Sequence, residues 1–243
     1  VHEIALTLCL PDGTCEPLTF NCRHMYNAAF AGRDPKDVQH HIDEMHALGV
    51  APPDRFPLLA PVSPHLLSIA DQLGLYTDSE SPDTTSGEVE YVLLWQGGEI
   101  YVGVGSDHCD LELEKTDLVW SKNVALNLIS DQVWRLGDVV SHFDDLMLRC
   151  EVRNGAEWRV SQNAPCGTLL SPDFWIAIME NSLPDTDGTV LFSGTIGSLD
   201  GVQSGTGYSI SLTDPVTGRS LTHAYTCQPT NLPMVPRPEE ARD

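Results

Sequence analysis

Residues 88–105 read EVEYVLLWQGGEIYVGVG, and this stretch decides the fold. Two apolar runs rich in Val, Leu, Tyr and Trp flank Gly97-Gly98, the pattern of a β-hairpin closed by a tight glycine turn. Residues two apart in a strand point to the same face. Glu88 and Glu90 therefore present their carboxylates side by side, while Val89 faces the other way. Counting back from the glycine pair sets residue 90 opposite roughly 104 and residue 88 opposite roughly 106. Asp107 follows at once in SDHCDLELE (106–114), so the open end of one hairpin gathers Glu88, Glu90 and Asp107. Three carboxylates cannot all stay ionised in a partly dry site without compensation, because an unpaired buried charge is costly even after relaxation. Protons or a divalent cation must neutralise them. All-oxygen ligands with room for water point to Mg²⁺, Mn²⁺ or Ca²⁺ rather than to zinc. A bare E-x-E in so acidic a chain also describes a solvated strand end.

Downstream of the hairpin the pattern stays β. It predicts strands near 118–122, 133–136, 146–153, 157–160, 189–193, 207–213 and 219–226, with a short helix over 172–181. Upstream, residues 1–22 read as strand, PDGT turn and strand. Residues 35–49, PKDVQHHIDEMHALG, carry the clearest helix signal. Pro35 stands near its start and Gly49 at its end, with Val38, Ile42, Met45 and Leu48 at helical spacing. The Pro-rich 50–62 must be extended. Residues 63–74 predict a short helix capped by Ser63, and 77–87 a polar loop. There is no repeated unit and no βαβ alternation. The expected fold is mainly β with a few helices (α+β). An N-terminal cap, 1–76, carries the helix at 35–49. A closed or rolled β domain follows over 77–228, and then a mobile tail, 229–243.

The chain has 243 residues, 41% hydrophobic and 20% charged, which suits a globular protein with a real core. Lys+Arg number 13 against 35 Asp+Glu, a formal net charge of -22. Such a surface repels phosphate backbones and anionic lipid and favours a cation, so no nucleic-acid or membrane partner is expected. No apolar run reaches the length of a membrane-spanning helix. VHEIALTLCLPDG at the N-terminus lacks a basic leader and breaks at a turn, so it does not read as a signal peptide. Seven cysteines without a CxxC pair argue against a disulfide framework or a structural zinc, and the expected location is the cytoplasm.

Further candidates lie outside the hairpin. His41 and Glu44 are three apart on the expected helix, so the carboxylate can orient the imidazole and raise its basicity. His40 and His46 stand close by as equivalent choices. Lys122 falls in VWSKN. Gly194-Thr195 falls where a strand runs into a glycine-rich turn, which presents backbone N–H groups and a hydroxyl suited to a carboxylate.

These motifs together resemble the fumarylacetoacetate hydrolase family. GRDPKDVQHHIDEM (32–45) resembles the segment in which a short helix carries His-x-x-Glu-Met after a Gly-Arg pair. GEVEYVLL (87–94) looks like the family's E-x-E strand, and GSDHCDLELE (105–114) its later acidic stretch. VWSKN (119–123) is similar to its Lys segment, and GTVLFSGTIGSLDGV (188–202) to its Thr-Gly-Thr strand and turn. The order along the chain is the family's, over about residues 30 to 226. More closely, the chain resembles an uncharacterised branch of that superfamily with GSDH, a Ser-Lys pair, a Phe-x-Gly-Thr turn and a Leu-x-His-x-Tyr end, here Leu221 to Tyr225.

The resemblance implies a mixed β-roll or barrel, a homodimer, and Mg²⁺ or Mn²⁺ at the mouth. By motif, Glu88, Glu90 and Asp107 are the metal ligands, with Asp110 and Glu112 as rivals for the third place. His41 and Glu44 are the base dyad, Lys122 polarises an oxygen, and Arg33, Gly194 and Thr195 bind substrate. The implied activity acts next to a carbonyl of an oxo-acid or 1,3-dicarbonyl through a metal-bound enolate, in C–C hydrolysis, decarboxylation or hydration. A cyclase or isomerase of secondary metabolism, or an inactive metal-binding homologue, fits the same scaffold. Leu111 stands where an Arg is expected and Gln203 where the close branch is basic. Fewer cationic contacts imply a less anionic substrate than a simple oxo-diacid.

Overall fold

The structure is a computed structural model that describes residues 1–47, 56–75 and 85–229; side chains at 37, 40, 41, 44, 45, 47 and 229 lie outside the described residues. The N-terminal hairpin is β1 (His2–Cys9) and β2 (Cys15–Cys22), followed by β3 (His24–Ala29), α1 (Pro35–Ala47) and β4 (Leu58–Val62). Then come β5 (Leu67–Ser68), β6 (Gln72–Leu75) and the long hairpin of β7 (Thr85–Gln96) and β8 (Glu99–Asp110). Two short helices, α2 (Leu111–Glu114) and α3 (Leu118–Ser121), lead to β9 (Asn127–Ile129) and β10 (Gln132–Arg135). The remainder is β11 (Met147–Asn154), β12 (Glu157–Pro165), α4 (Pro172–Ser182), β13 (Thr189–Phe192), β14 (Gly207–Thr213) and β15 (Ser220–Pro229).

These strands form two sheets. The ten-stranded one runs β2-β1-β10-β8-β7-β13-β3-β4, with β9 against β8 and β5 against β9; the five-stranded one runs β12-β11-β14-β15-β6. One apolar cluster takes Ile4 and Leu6 from β1, Phe20 from β2, Met25 from β3, Val62 from β4, Val92 and Leu94 from β7, and Val190 and Phe192 from β13. Strands at opposite ends of the sheet meet in that cluster only if the sheet curls on itself, so this is the inside of a partial barrel. A larger cluster joins the outer face of the β7–β8 hairpin, through Val89, Tyr91, Leu93, Val102 and Val104, to Leu148, Tyr208, Ile210 and Tyr225 of the second sheet. The mainly β fold with few helices is as expected.

The hairpin register differs from the expected one by a single residue. Gln96 pairs with Glu99, leaving only Gly97 and Gly98 in the turn, at φ 65 and 81. Both central residues then have the left-handed backbone that a type I′ turn needs. Glu88 consequently faces Asp107, and Glu90 faces Gly105. That one-residue difference decides the site, because directly opposed residues share a face.

Two expected elements are corrected. Residues 118–122 form no strand: Asp117 accepts the N–H of Trp120 and caps α3, and this local hydrogen bond outweighs the β-propensity of Val and Trp. Residues 63–74 hold only one turn of 3₁₀ helix at Pro64–Leu66, because Leu67–Ser68 pair with β9 and Gln72–Leu75 pair with β15. Sheet pairing overrides the helix signal there. The helix expected at 35–49 is present as α1, with 48–50 outside the described residues. The expected polar loop lies mostly outside them too, and β7 takes up its last residues, Thr85 to Gly87. Of the expected tail only 229 is described.

Candidate metal centre

Alternation along β7 puts Val92 and Leu94 inside the curled sheet, and the same parity carries Glu90 and Glu88 to the inner face at the open end of the hairpin. Asp107 joins them from β8, and Asn127 of β9 lies beside Asp107 in register. Lys122 follows α3 directly. Its Nζ donates to Asp107 Oδ2 in an ion pair whose side chains are 4% and 0% exposed. α1 packs toward this end through Ile42 and Val38, which join Phe30 and Leu118 in one small cluster.

Burial sets the electrostatics. Glu90 is 1% exposed. Burial first, then the charge of Asp107, pushes its carboxyl well above the usual range against the pull of Lys122. Glu88 keeps a partly exposed edge, and burial still pushes it up to about 7. Burial alone would drive the Lys122 ammonium down, but Asp107 above all holds it well above its ordinary value. Lys122 is therefore a fixed positive charge among three acids.

The glycine-rich turn after β13 holds the strand in place. Gly194 N–H donates to Glu90 Oε2 at 2.8 Å. Its φ is 82, and a Cβ there would lie 3.0 Å from Ala31 Cβ, so both backbone and space require glycine. Thr195 Oγ1 donates to Val89 O at 3.0 Å and accepts from Gln162 Nε2 at 2.7 Å. Gln162 also donates to Ile196 O and accepts from Val89 N–H.

Glu88, Glu90, Asp107 and Lys122 thus lie at one end of the barrel interior with Gly194 against Glu90, whereas the Thr195 hydroxyl is turned to Val89 and Gln162. Arg33 is engaged elsewhere: it holds Asp144 through two bonds of 2.6 and 2.8 Å and Leu169 O at 3.0 Å, on the wall of a cleft of about 360 Å³. The side chains of His41 and Glu44 lie outside the described residues, although α1 carries both positions. Asp110 caps α2 and Glu112 pairs with Lys115 at 2.6 Å, so both rivals of Asp107 have other partners. Three site residues escaped the sequence reading: Gln162, and the buried pair Asn27 and Asn127, whose amides meet at 2.6 Å. For the two asparagines the signal is a polar residue inside an apolar strand, since buried amides persist where they are hydrogen-bonded.

The GSDH and Leu-x-His-x-Tyr motifs meet on the outer face. Tyr225 OH lies 2.8 Å from Ser106 Oγ and 3.1 Å from His108 Nδ1. Asp107 points inward while its neighbours clamp the second sheet.

The donor set fits a hard divalent cation. It is all carboxylate oxygen, the buried Asp107 Oδ1 has no hydrogen-bond partner, and both glutamates are pushed toward protonation, which a cation would reverse. Among the described residues no three acidic, His or Cys side chains already stand close enough to hold a metal ion.

Comparison with known proteins agrees with the fold. A fumarylacetoacetate hydrolase family protein from Yersinia pestis CO92 superposes with a TM-score of 0.60 at 16% identity, over 88% of this chain and 97% of that one. A 5-carboxymethyl-2-hydroxymuconate delta-isomerase from Mycobacterium smegmatis gives 0.59 at 19%, over 90% and 87%. A 2-keto-3-deoxyarabinonate dehydratase gives 0.62 at 13%, over 87% and 76%. No curated protein matches the chain. A family model described as "Protein of unknown function (DUF2848)" matches residues 28–225. With that match over most of its length, and on the fold of the fumarylacetoacetate hydrolase family, the chain belongs to the DUF2848 family.

Proposed function

We propose that this protein is an enzyme that acts next to a carbonyl of an oxo-acid or 1,3-dicarbonyl small molecule, with Glu88, Glu90 and Asp107 holding Mg²⁺ or Mn²⁺. The observation that carries the reading is the gathering of these three acids and Lys122 at one end of the curled sheet. A divalent cation bound there supplies positive charge to the substrate oxygen on which negative charge develops. Lys122 Nζ, kept protonated by Asp107, adds positive charge beside that oxygen. Gly194 N–H fixes Glu90 Oε2, and the hydroxyl of Thr195 and the amide of Gln162 fix the backbone between the glutamates. The site is thereby held in shape before substrate arrives. His41 oriented by Glu44 is the proposed base that moves the proton, Arg33 lies outside the immediate cluster, and the active form is a homodimer. Hydrolysis, decarboxylation, hydration and isomerisation next to a carbonyl all build negative charge on its oxygen, which this arrangement favours.

Thermal melts with and without millimolar Mg²⁺ or Mn²⁺ test the reading. The wild-type chain should melt higher with the ion, and Glu90→Gln should abolish that rise while still folding. An equal rise in Glu90→Gln would remove the metal site. His41→Ala should keep the rise and lower turnover of an acylpyruvate or oxo-acid by roughly 10²–10⁴.

A further inference from the structure

Cys9 ends β1 and Cys15 begins β2, and the two are direct partners in the antiparallel register. Their sulfur atoms lie 3.3 Å apart. Leu10 N–H donates to Thr14 O at 2.9 Å, which makes 10 and 14 a hydrogen-bonded pair. The next pair, 9 and 15, is then a non-hydrogen-bonded one, with Cα atoms about 4.5 Å apart and side chains at their closest. That spacing falls within the range a disulfide spans. The loop between them is already shaped. Gly13 has φ 86, Gly13 N–H donates to Leu10 O, and Asp12 Oδ1 accepts from both N–H and Oγ1 of Thr14. No strand needs to move for the sulfurs to join.

The two thiols differ in access. Cys15 is exposed, whereas Cys9 is partly covered and packs against the large core cluster. Burial, then the neighbouring Cys15 sulfur, pushes the Cys9 thiol up to about 11; Asp131 adds to this and Arg219 opposes it. The other five cysteines are buried.

We propose that Cys9 and Cys15 form a redox-modifiable dithiol, closed to a cross-strand disulfide by a small disulfide such as glutathione disulfide. The thiolate of exposed Cys15 attacks one sulfur of glutathione disulfide, whose S–S bond breaks and releases one glutathione thiolate. Cys9 then loses its proton to solvent and attacks Cys15 sulfur, forming the protein S–S bond and expelling the second glutathione. Two electrons pass from the cysteine pair to glutathione disulfide, and the two protons end on the released glutathiones. The bond fastens the loop end of a hairpin whose outer strand, β2, is the edge of the large sheet. An edge strand frays first, so the oxidised chain should melt higher.

The full chain, reduced and then held in glutathione disulfide under native conditions, decides the matter by mass spectrometry and thiol titration. The expected product has lost two hydrogen atoms, two titratable thiols and no others, with the linkage in the tryptic peptide ending at Arg23. Cys9→Ser should instead keep one glutathione on residue 15. Cys15→Ser should react slowly or not at all. A glutathione adduct that persists on Cys15 of the wild-type chain, a linkage mapped elsewhere, or two thiols still titratable would each overturn the proposal.

Discussion

Lys122 Nζ donates to Asp107 Oδ2 with both side chains enclosed, so removing the lysine leaves a carboxylate without its counter-ion. Lys122→Met should therefore cost about 3–5 kcal/mol, the usual penalty for breaking a buried pair from one side. Adding Asp107→Asn should recover most of that loss, because the orphaned charge disappears with it. Urea unfolding of the two variants measures both numbers, and an unchanged midpoint for Lys122→Met alone would contradict the pairing. The two glutamates were legible from strand parity alone. Lys122 stood out only through the family pattern, since a lysine two residues after a tryptophan carries no signal of burial. Gln162 gave none at all: its three partners, Val89, Thr195 and Ile196, lie far away in sequence.

The β7–β8 hairpin works through both faces, and on its outer face the second sheet leaves Gly87 no room for a side chain. A Cβ placed on Gly87 would run into Tyr225 OH and meet Ser106 Oγ at 2.9 Å. Gly87→Ala should thus push the second sheet off the hairpin and destabilise the fold by about 1–3 kcal/mol, the range for overpacking a core. Gly87→Ala with Tyr225→Phe should regain part of it by removing the nearest atom. Calorimetric melts that rank the double variant below the single one would refute this account of the contact. At this scale the hairpin, the N-terminal strand pair, α1 and α4 were readable, since each follows from local period and punctuation. The parallel pairs β1 with β10, β3 with β13 and β6 with β15 were not, because they join segments far apart in the chain. The same long-range pairing converted the expected helix at 63–74 into strands.

Across the whole molecule a formal charge of -22 and two strained carboxyls act in the same direction as pH rises, and they can be separated. Glu88 moves from an ordinary value of 4.5 to about 7, and Glu90 moves up as well. An acid whose folded value is raised holds its proton more tightly folded than unfolded. The contribution of Glu88 to stability is therefore greatest below about 4.5 and declines as pH climbs to about 7, and that of Glu90 declines in the same direction. Repulsion among surface acids adds a second decline, which salt screens because the Debye length is about 10 Å at 0.1 M. Sodium chloride should thus relieve only the surface part. Millimolar Mg²⁺ should relieve the buried part, with a melting rise that grows with pH through about 7 as the carboxyls lose their protons. In a Glu88→Gln, Glu90→Gln chain the magnesium-specific rise should vanish at every pH while the sodium effect remains. If magnesium at matched ionic strength did no more than sodium in the wild-type chain, the acids at the barrel mouth would be a buried charge cluster balanced by Lys122 and protons, not a cation site.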